Sequence, residues 1–407
     1  MKKILKRYGT ITLVSAALII TGFIGNSVSA FEPAQLYDQV WKLINSKYVD
    51  QTNNQQDWCK WRGKYDKHIQ TDEDAYVAID TMLASLNDPY TKFLNPKEFA
   101  EETSSIKGSL KGIGVQIGVR DGKLLIIAPI EDTPGERAGL KAEDEILEIN
   151  GESTKGITVD KAADKIRGEE GTQVDLLIKR KNQPNKNYKI TRAEIEIKSV
   201  SQKLPENVKL NDSVGYIRLS SFISKNAATE FSSALQTNAR KKGYIIDLRS
   251  NPGGLLSNAI IMANMFLNGG IIVSTVDRDG YKDTTKATRK FVCDKPIVIL
   301  INKGSASASE IFSGAMKDNR RALLVGENSF GKGLVQEINK LPGGSGVNIT
   351  IQKYLTPNGT DINKKGIAPD VTVELSDDDI KTKHDTQLLK AEDMLLKMIA
   401  TGTKSYR

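Results

Sequence analysis

The sequence of 407 residues is poor in the side chains that most often carry enzymatic chemistry, because it contains only two histidines and two cysteines. His68 and His384 both lie in charged stretches with a helical pattern, where a histidine is usually solvated. A Ser-His-Asp triad needs an imidazole beside its nucleophile, and neither position supplies an obvious one. There is no Cys/His cluster at the spacing of metal ligands, so we expect no metal site, and nothing in the sequence calls for a cofactor.

The charge balance and the cysteines exclude little more. Residues 1–30 contain four basic and no acidic side chains, so the formal charge of the remaining chain is +4 instead of +8. This small excess gives no reason to expect nucleic-acid binding. The absence of Gly-x-Gly-x-x-Gly and P-loop spacing argues against a nucleotide site. The sequence leaves open whether Cys59 and Cys293 form a disulfide or remain two separate thiols.

Residues 1–30 have the pattern of an export signal. Four basic side chains within the first seven positions precede an apolar stretch at 11–24, and Val-Ser-Ala at 28–30 supplies small residues for cleavage. The apolar stretch is short for a bilayer span, so we expect a cleaved signal peptide. The alternative is an uncleaved N-terminal segment that keeps the exported protein at the membrane.

The rest of the chain shows three patterns, for which we predict three domains. Residues 31–105 have apolar side chains at helical spacing, and residues 106–192 contain short alternating strands with glycine-rich turns. In residues 193–407 strands alternate with helices, which is typical of a largely parallel α/β sheet, and an amphipathic helix at 388–399 follows. The strands of this third domain are predicted at 214–219, 244–248, 271–276, 296–301 and 322–325.

The candidate catalytic residues lie between residues 296 and 336. An apolar run at 296–301 indicates a strand buried on both faces, and Ser307 follows where a helical pattern begins. Ser307-x-x-Glu310 is a capping box, which usually only starts a helix, and the Gly-Lys-Gly around Lys332 is usually a turn. Together, in a chain with two histidines, they predict a serine nucleophile and a lysine base at the carboxyl edge of a sheet.

A lysine acts as a base only when it is neutral, whereas its ordinary pKa is about 10.4. Lowering that pKa to near 7 takes about 3 units, or roughly 4–5 kcal/mol, which desolvation can supply. The glycines beside Lys332 would let the backbone close over it and exclude water. Gln336 could hydrogen-bond the amine without adding a negative charge that would raise its pKa.

Two glycines predict where the oxyanion of such a reaction would bind. Gly253 and Gly254 follow the strand predicted at 244–248 and open a helix, as Ser307 does after its own strand. If the two strands are neighbours, the N–H of Gly253 or Gly254 can converge with that of Ala308 to form an oxyanion hole. The alternative for these glycines is an ordinary turn.

The β-rich stretch resembles a PDZ domain in the order of its elements, and its candidate peptide site begins at Gly112, Ile113, Gly114 and Val115. Glycines leave N–H groups free to hold a terminal carboxylate, and the adjoining strand edge can pair with an extended peptide. A helix ending at Arg167 would form the other wall, and Arg167 is a candidate link to the catalytic core. The alternative is a glycine-rich hairpin without a ligand.

Taken together, these stretches resemble the carboxyl-terminal processing (tail-specific) proteases over nearly all of the chain after residue 30. The motifs that carry the resemblance are Asp-Pro-Tyr-Thr at 88–91, Gly-Tyr-Ile-Arg-Leu at 215–219, Asp-Leu-Arg at 247–249, Asn-Pro-Gly-Gly at 251–254, Gly-Ser-Ala-Ser-Ala-Ser-Glu at 304–310, Phe-Gly-Lys-Gly at 330–333 and Gly-Ile-Ala-Pro-Asp at 366–370. The resemblance implies Ser307 as nucleophile, Lys332 as base and Gln336 as the residue that orients the lysine. Ser305 and Ser309 would then be helix-start residues.

The resemblance also implies a fold and an activity. The fold would be α/β, with a ClpP/crotonase-like, mainly parallel core, a helical N-terminal region and an inserted PDZ domain. The activity would be that of an exported serine endopeptidase that recognises protein substrates by their exposed C-terminal tails and cleaves near them through an acyl-enzyme. Whether the protein forms homo-oligomers stays open.

Two readings of its location and two further functions remain as alternatives. A short stretch with Asp-Trp at 57–58 is most similar to cyanobacterial and plastid members, which implies processing of a photosystem II protein in the thylakoid lumen; the other reading is a general periplasmic protease. A catalytically silent PDZ scaffold that captures C-terminal peptides is disfavoured by the intact serine, lysine and glutamine. An acyl-CoA enzyme of the crotonase type is disfavoured by the export signal and the PDZ pattern.

Overall fold

The protein has a mixed α/β fold, seen here in a computed structural model that describes residues 32–403 except for 121, 131, 197, 206–207 and 289–291. The signal peptide predicted at 1–30 lies outside the described residues. The helices are α1 (Pro33–Lys47), α2 (Asp72–Ala84), α3 (Pro96–Lys107), α4 (Pro134–Arg137), α5 (Val159–Ile166), α6 (Ala227–Thr237), α7 (Leu256–Asn264), α8 (Ala308–Asp318), α9 (Asp377–Thr382) and α10 (Thr386–Thr401).

The strands are mostly short and belong to four sheets. They are β1 (Lys92–Leu94), β2 (Ser109–Gly112), β3 (Val115–Arg120), β4 (Lys123–Pro129), β5 (Glu145–Ile149), β6 (Glu152–Ser153), β7 (Gln173–Lys179), β8 (Lys186–Thr191), β9 (Ala193–Glu196), β10 (Val200–Ser201), β11 (Val214–Leu219), β12 (Gly243–Asp247), β13 (Ile271–Asp277), β14 (Lys282–Lys286), β15 (Ile297–Ile301), β16 (Leu323–Gly326), β17 (Leu334–Lys340), β18 (Gly346–Leu355) and β19 (Val371–Thr372).

The central sheet has the order β10-β11-β12-β15-β16-β19, and all its strand pairs are parallel except β10 with β11. Every residue of β15 is buried, as the unbroken apolar run predicts, because both faces of the sheet are covered. Ile299 and its alternate neighbours face helices α6, α7 and α8, whereas Val298 and Leu300 face α10. The amphipathic helix predicted at 388–399 is part of α10, which packs on this sheet.

A second sheet contains β1, β13, β14, β17 and β18, and its pairs are antiparallel. The sequence correctly predicts a strand at 271–276, but its placement in the parallel sheet is wrong. That segment is β13, which forms a hairpin with β14 and pairs on its other edge with the end of β18. Its apolar residues still contribute to the core beneath α8, which explains why its pattern resembles that of the parallel strands.

The N-terminal helices α1 and α2 pack together and cover the second sheet. The indole nitrogen of Trp41 donates to the carbonyl of Trp58, and that of Trp58 donates back to the carbonyl of Trp41, at 2.9 and 3.3 Å. A Thr71 capping box starts α2, as the Thr-Asp-Glu-Asp sequence indicates. The prediction that residues 31–105 are helical is incomplete, because this region also contains β1, which pairs with β18.

The β-rich unit is inserted between α3 and the central sheet. Its strands follow the order β3-β4-β5-β7-β8 and enclose a separate apolar cluster with α5. The chain enters the unit through β2 and leaves it through β9, and these two strands pair with each other. Gly108, with φ +78°, ends α3 so close to Ser224 that a Cβ there would lie 2.3 Å from the Ser224 hydroxyl.

Three further features concern cysteines, metals and membranes. Cys59 is exposed and Cys293 is buried, and both are free thiols. In the described part of the chain, no group of three or more His, Cys, Asp or Glu side chains is arranged to hold a metal ion. Among the same residues, no helix combines the length and apolar character that a bilayer crossing requires.

Candidate active site

Ser307 lies at the turn where the chain leaves β15 and enters α8. Its φ of 54° and ψ of −115° are unusual for a residue with a side chain. Ser307 is partly exposed, whereas its neighbours Ala306 and Ala308 are buried. Its hydroxyl donates no hydrogen bond to any described residue, so its proton is available to a base. A strained strand-to-helix turn of this kind is typical of a serine nucleophile.

The two neighbouring serines have structural roles. The Ser305 hydroxyl donates to the Leu248 carbonyl at 2.8 Å, and the Ser309 hydroxyl donates to the Asn251 carbonyl at 2.9 Å. Both acceptors belong to the segment that follows β12, the neighbour of β15. These bonds therefore fasten the turn that carries Ser307 to the segment that carries the two glycines.

Gly253 and Gly254 lie against the serine turn in conformations that favour glycine, with φ of +96° and +144°. A Cβ on Gly253 would lie 2.8 Å from both the Ser307 Cβ and the Ala308 nitrogen. The Gly253 N–H already donates to the Asn251 side-chain oxygen at 2.9 Å. Within the described residues the N–H groups of Gly254 and Ala308 have no acceptor, so of the two glycines it is Gly254 that offers a free donor.

Lys332 shares one cavity of about 450 Å³ with Ser307, Gln336 and Gly254. Its ammonium nitrogen lies 4.4 Å from the centre of the Tyr90 ring and has no ion-pair partner among the described residues. Burial lowers the pKa of Lys332 below its usual value of 10.5. The neighbouring charges act in both directions: the carboxylates of Asp88, Glu102 and Glu310 raise this pKa, and Lys92 lowers it further.

The fully buried Glu310 carboxylate connects the turn that carries Ser307 to the loop that carries Lys332. Its Oε2 accepts from the backbone nitrogens of Ser307 and Lys332, at 2.8 and 2.9 Å. Its Oε1 accepts from the Gly331 nitrogen at 2.7 Å and the Ser329 hydroxyl at 2.5 Å. Glu310, which the sequence indicates only as part of a capping box, thus also holds the segment that contains Lys332.

Tyr354 of β18 makes the corresponding contact with the carbonyl groups. Its hydroxyl lies 2.5 Å from the Lys332 carbonyl oxygen and 3.2 Å from that of Ser307. The side chain is almost fully buried, and burial followed by the charge of Glu310 raises its pKa well above 10. Sequence reasoning missed this residue, because a tyrosine at the end of a strand carries no local signal of such a role.

Gln336 lines the cavity but does not contact Lys332 through a hydrogen bond. Its amide nitrogen donates to the Thr350 hydroxyl at 3.3 Å, and that hydroxyl donates to Asp88 at 2.7 Å. Asp88 also accepts from the Thr91 hydroxyl, so the Asp-Pro-Tyr-Thr motif organises this wall of the site. The role of Gln336 in orienting the lysine stays a prediction.

The residues predicted to bind a peptide line a separate groove of about 490 Å³ in the β-rich unit. They are Gly112, Ile113, Gly114, Val115 and Arg167. Within the described residues the N–H groups of Ile113 and Gly114 have no acceptor, as a carboxylate site requires. Arg167 forms an ion pair with Glu101 of α3 at 3.3 Å. The following residue, Glu102, lines the catalytic cavity.

Comparisons with known proteins identify the families to which parts of the chain are similar. Residues 213–373 match the model of peptidase family S41, and residues 125–180 match a PDZ-domain model. The chain is 40% identical over 403 residues to a carboxyl-terminal-processing protease of Synechocystis sp., covering 97% of this chain and 94% of that protein. It is 34% identical to the chloroplastic carboxyl-terminal-processing peptidase 2 of Arabidopsis thaliana, covering 90% of this chain and 74% of that one. A solved structure described as a photosystem II D1 C-terminal processing protease aligns with a TM-score of 0.56 and 32% identity, over 84% of this chain and 94% of that chain.

The Glu310 contacts predict a strong effect of a nearly isosteric substitution. Glu310→Gln replaces an oxygen acceptor by an amide that cannot accept from the surrounding N–H groups, so the serine turn and lysine loop should shift apart. We expect kcat to fall about 100-fold, since displacements near 1 Å have effects of this size. Steady-state kinetics at a temperature where the variant is folded, verified by circular dichroism, measure this.

Glu337→Gln on β17 is the matched control for that experiment, because the Glu337 carboxylate forms a partly exposed ion pair with Lys47 at the end of α1. It should leave kcat unchanged. If Glu310→Gln retained the wild-type kcat, the connection between the two segments would not matter for catalysis.

Proposed function

Because the chain belongs to the carboxyl-terminal processing proteases of peptidase family S41, we propose that it is an exported serine endopeptidase that binds protein C-termini through its PDZ domain and cleaves near them by a serine–lysine mechanism. The observation that carries this proposal is the shared cavity of Ser307 and Lys332, in which the hydroxyl is free and burial lowers the pKa of the amine. Its protein substrates carry exposed C-terminal tails.

In the proposed reaction, neutral Lys332 accepts the proton of the Ser307 hydroxyl as its oxygen bonds to the substrate carbonyl carbon. The N–H groups of Gly254 and Ala308 donate to the resulting oxyanion. The Lys332 ammonium then gives its proton to the departing amine, and the C–N bond breaks to leave an acyl-enzyme. A water molecule, deprotonated by Lys332, attacks that ester and releases the new C-terminus, while Gln336 orients the amine.

We also propose the domain division and location that go with this activity. The domains would be residues 31–105, 106–192 and 193–407, after a signal peptide at 1–30. The separate apolar cluster of the β-rich part supports the limits of the second domain, whereas the cluster of the N-terminal helices also includes Leu341, Val347 and Ile349 from the third. The third domain would have the ClpP/crotonase-like fold, which its mainly parallel sheet supports. The location would be the periplasm or the thylakoid lumen, the latter supported by the plastid and cyanobacterial relatives.

Substitutions of the two proposed catalytic residues test the mechanism most simply. Ser307→Ala and Lys332→Ala should each reduce the cleavage rate at least about a thousandfold, because each removes a group that acts in the chemical step. His68→Ala and His384→Ala should leave the rate unchanged. Cleavage of a fluorogenic peptide, with folding checked by circular dichroism, measures the four variants. Loss of activity in a folded His384→Ala variant would contradict the serine–lysine assignment.

The pH dependence should follow the protonation of Lys332. Only the neutral amine accepts a proton, so kcat/KM should rise with pH and reach half its maximum below the usual lysine value of about 10.4. Lys92→Met should move this midpoint upward, because it removes a positive charge that disfavours the ammonium form of Lys332. Lys97→Met, outside the cavity, is the control. A rate independent of pH from acid to alkali would contradict a lysine base.

The groove of the PDZ domain predicts selection by the terminal carboxylate. Two peptides that differ only in a free or an amidated C-terminus should differ in kcat/KM by about tenfold or more, because docking of the tail raises its effective concentration near Ser307. A third peptide, with a free C-terminus and an acetylated N-terminus, should be cleaved like the first. Equal cleavage of the free and amidated forms by the full-length enzyme would exclude this mode of selection.

A further inference from the structure

Arg249 lies at the point where the chain leaves β12 and begins the segment that ends at Gly254. Its guanidinium is almost fully buried and is held from two sides. Nη1 and Nη2 each donate to one carboxylate oxygen of Asp385 at 2.8 Å. Nε and Nη2 donate to Asp247 at 3.0 and 2.7 Å, and Nη1 also donates to Gln387 at 3.1 Å.

Asp385 comes from a distant part of the chain, 136 residues after Arg249. It is the N-cap of α10, and its Oδ1 accepts from the Leu388 nitrogen at 2.9 Å. Helix α10 packs on the face of the central sheet opposite to α7 and α8. The carboxylate thus reaches the active-site end of β12 from behind the sheet.

The charges around Arg249 show that Asp385 completes a balanced group. Asp247 is fully buried and accepts from the Tyr216 hydroxyl at 2.8 Å, with Arg218 at 3.3 Å. Burial opposes its charge, but the hydrogen bonds and charge of Arg249, together with the charge of Arg218, outweigh burial and lower the pKa of Asp247. Two guanidiniums therefore face two carboxylates. Without Asp385, the buried Arg249 would keep Asp247 but lose its second bidentate partner, and two positive charges would share one carboxylate.

Arg249 and the free N–H of Gly254 belong to one short segment, which several hydrogen bonds hold in place. The Leu248 and Asn251 carbonyls accept from the hydroxyls of Ser305 and Ser309 in the nucleophile turn. The side chain of Asn251 donates through its amide nitrogen to the Leu219 carbonyl and accepts through its amide oxygen from the Gly253 nitrogen. A shift at Arg249 would therefore change where the glycine N–H groups point relative to Ser307.

We propose that Asp385 is a positioning residue for catalysis: by holding Arg249 it fixes the segment from Arg249 to Gly254, and with it the N–H that binds the oxyanion. The proposal rests on the proteolytic function proposed above. It makes the N-terminus of the last helix part of the machinery that stabilises the transition state, although this helix lies outside the catalytic cavity.

The test uses Asp385→Asn in the full-length protein. Asparagine caps helices as well as aspartate does, so α10 should still begin correctly while the charge that faces Arg249 is lost. We expect kcat per active site to fall about tenfold, with KM changed less than twofold. The affinity for a peptide aldehyde, whose adduct with Ser307 contains an oxygen at the oxyanion position, should fall by the same factor as kcat. The midpoint of the pH profile should not move, because Lys332 is untouched.

Active sites are counted by titration with a fluorophosphonate, which separates positioning from a loss of folded enzyme. Asp393→Asn, on the same helix and paired only with exposed lysines, is the control and should behave like the wild type. A wild-type kcat per titrated site in Asp385→Asn, with any loss explained by fewer sites, would overturn the proposal. Absence of cleavage by the wild type itself would instead refute the proposed function.

If Asp385→Asn does not fold, Gln387→Leu takes its place. It removes one oxygen from Arg249 without leaving a charge unpaired, so a smaller, about threefold, loss in kcat with unchanged KM is expected. An unchanged kcat per titrated site in this variant would equally overturn the proposal.

Discussion

The hydrogen bonds to the buried Glu310 carboxylate are the interaction on which the geometry of the site depends. A buried carboxylate is strongly unfavourable unless donors surround it, and here four donors come from two separate segments. Ser307 and Lys332 donate to the same oxygen, so the two segments cannot separate without leaving a buried charge short of donors. The Tyr354 hydroxyl adds a contact to both carbonyls. The separation of Ser307 and Lys332 is therefore set by contacts of their backbones and does not require a direct bond between their side chains.

The same contacts explain how Ser307 keeps an unfavourable backbone conformation. A strained φ persists only where the surroundings determine it more strongly than local sterics do. Here the Ser305 and Ser309 hydroxyls attach the turn to the segment after β12, while Gly253 allows the two backbones to approach more closely than a side chain would permit. In this conformation the serine hydroxyl donates to no described residue and the Ala308 N–H has no acceptor among them, which is the arrangement that acyl transfer requires.

Local patterns in the sequence predict part of this site, and non-local contacts determine the rest. Ser307 could be identified because a buried apolar run followed by a helix start is visible within a dozen residues. Tyr354 could not, because its partners lie 47 and 22 residues away and only the pairing of β18 brings it there. The orientation of Lys332 by Gln336 stays a prediction, and the register of β17 against β18 brings Gln336 next to Thr350, to whose hydroxyl its amide donates. The strand at 271–276 is predicted by its local apolar pattern. The sheet to which it belongs is set by its pairing with β14 and β18, which the local pattern does not show.

The proposed activation of Ser307 by Lys332 can be tested by labelling with a fluorophosphonate. Mass spectrometry of the labelled protein should find the label on Ser307 alone. The labelling rate should rise with pH in the wild type and fall at least about a hundredfold in Lys332→Ala. If the folded wild-type protein were not labelled, the result would indicate a catalytically silent peptide-binding scaffold. Equally fast labelling of Ser307 in Lys332→Ala would contradict the assignment of Lys332 as the base.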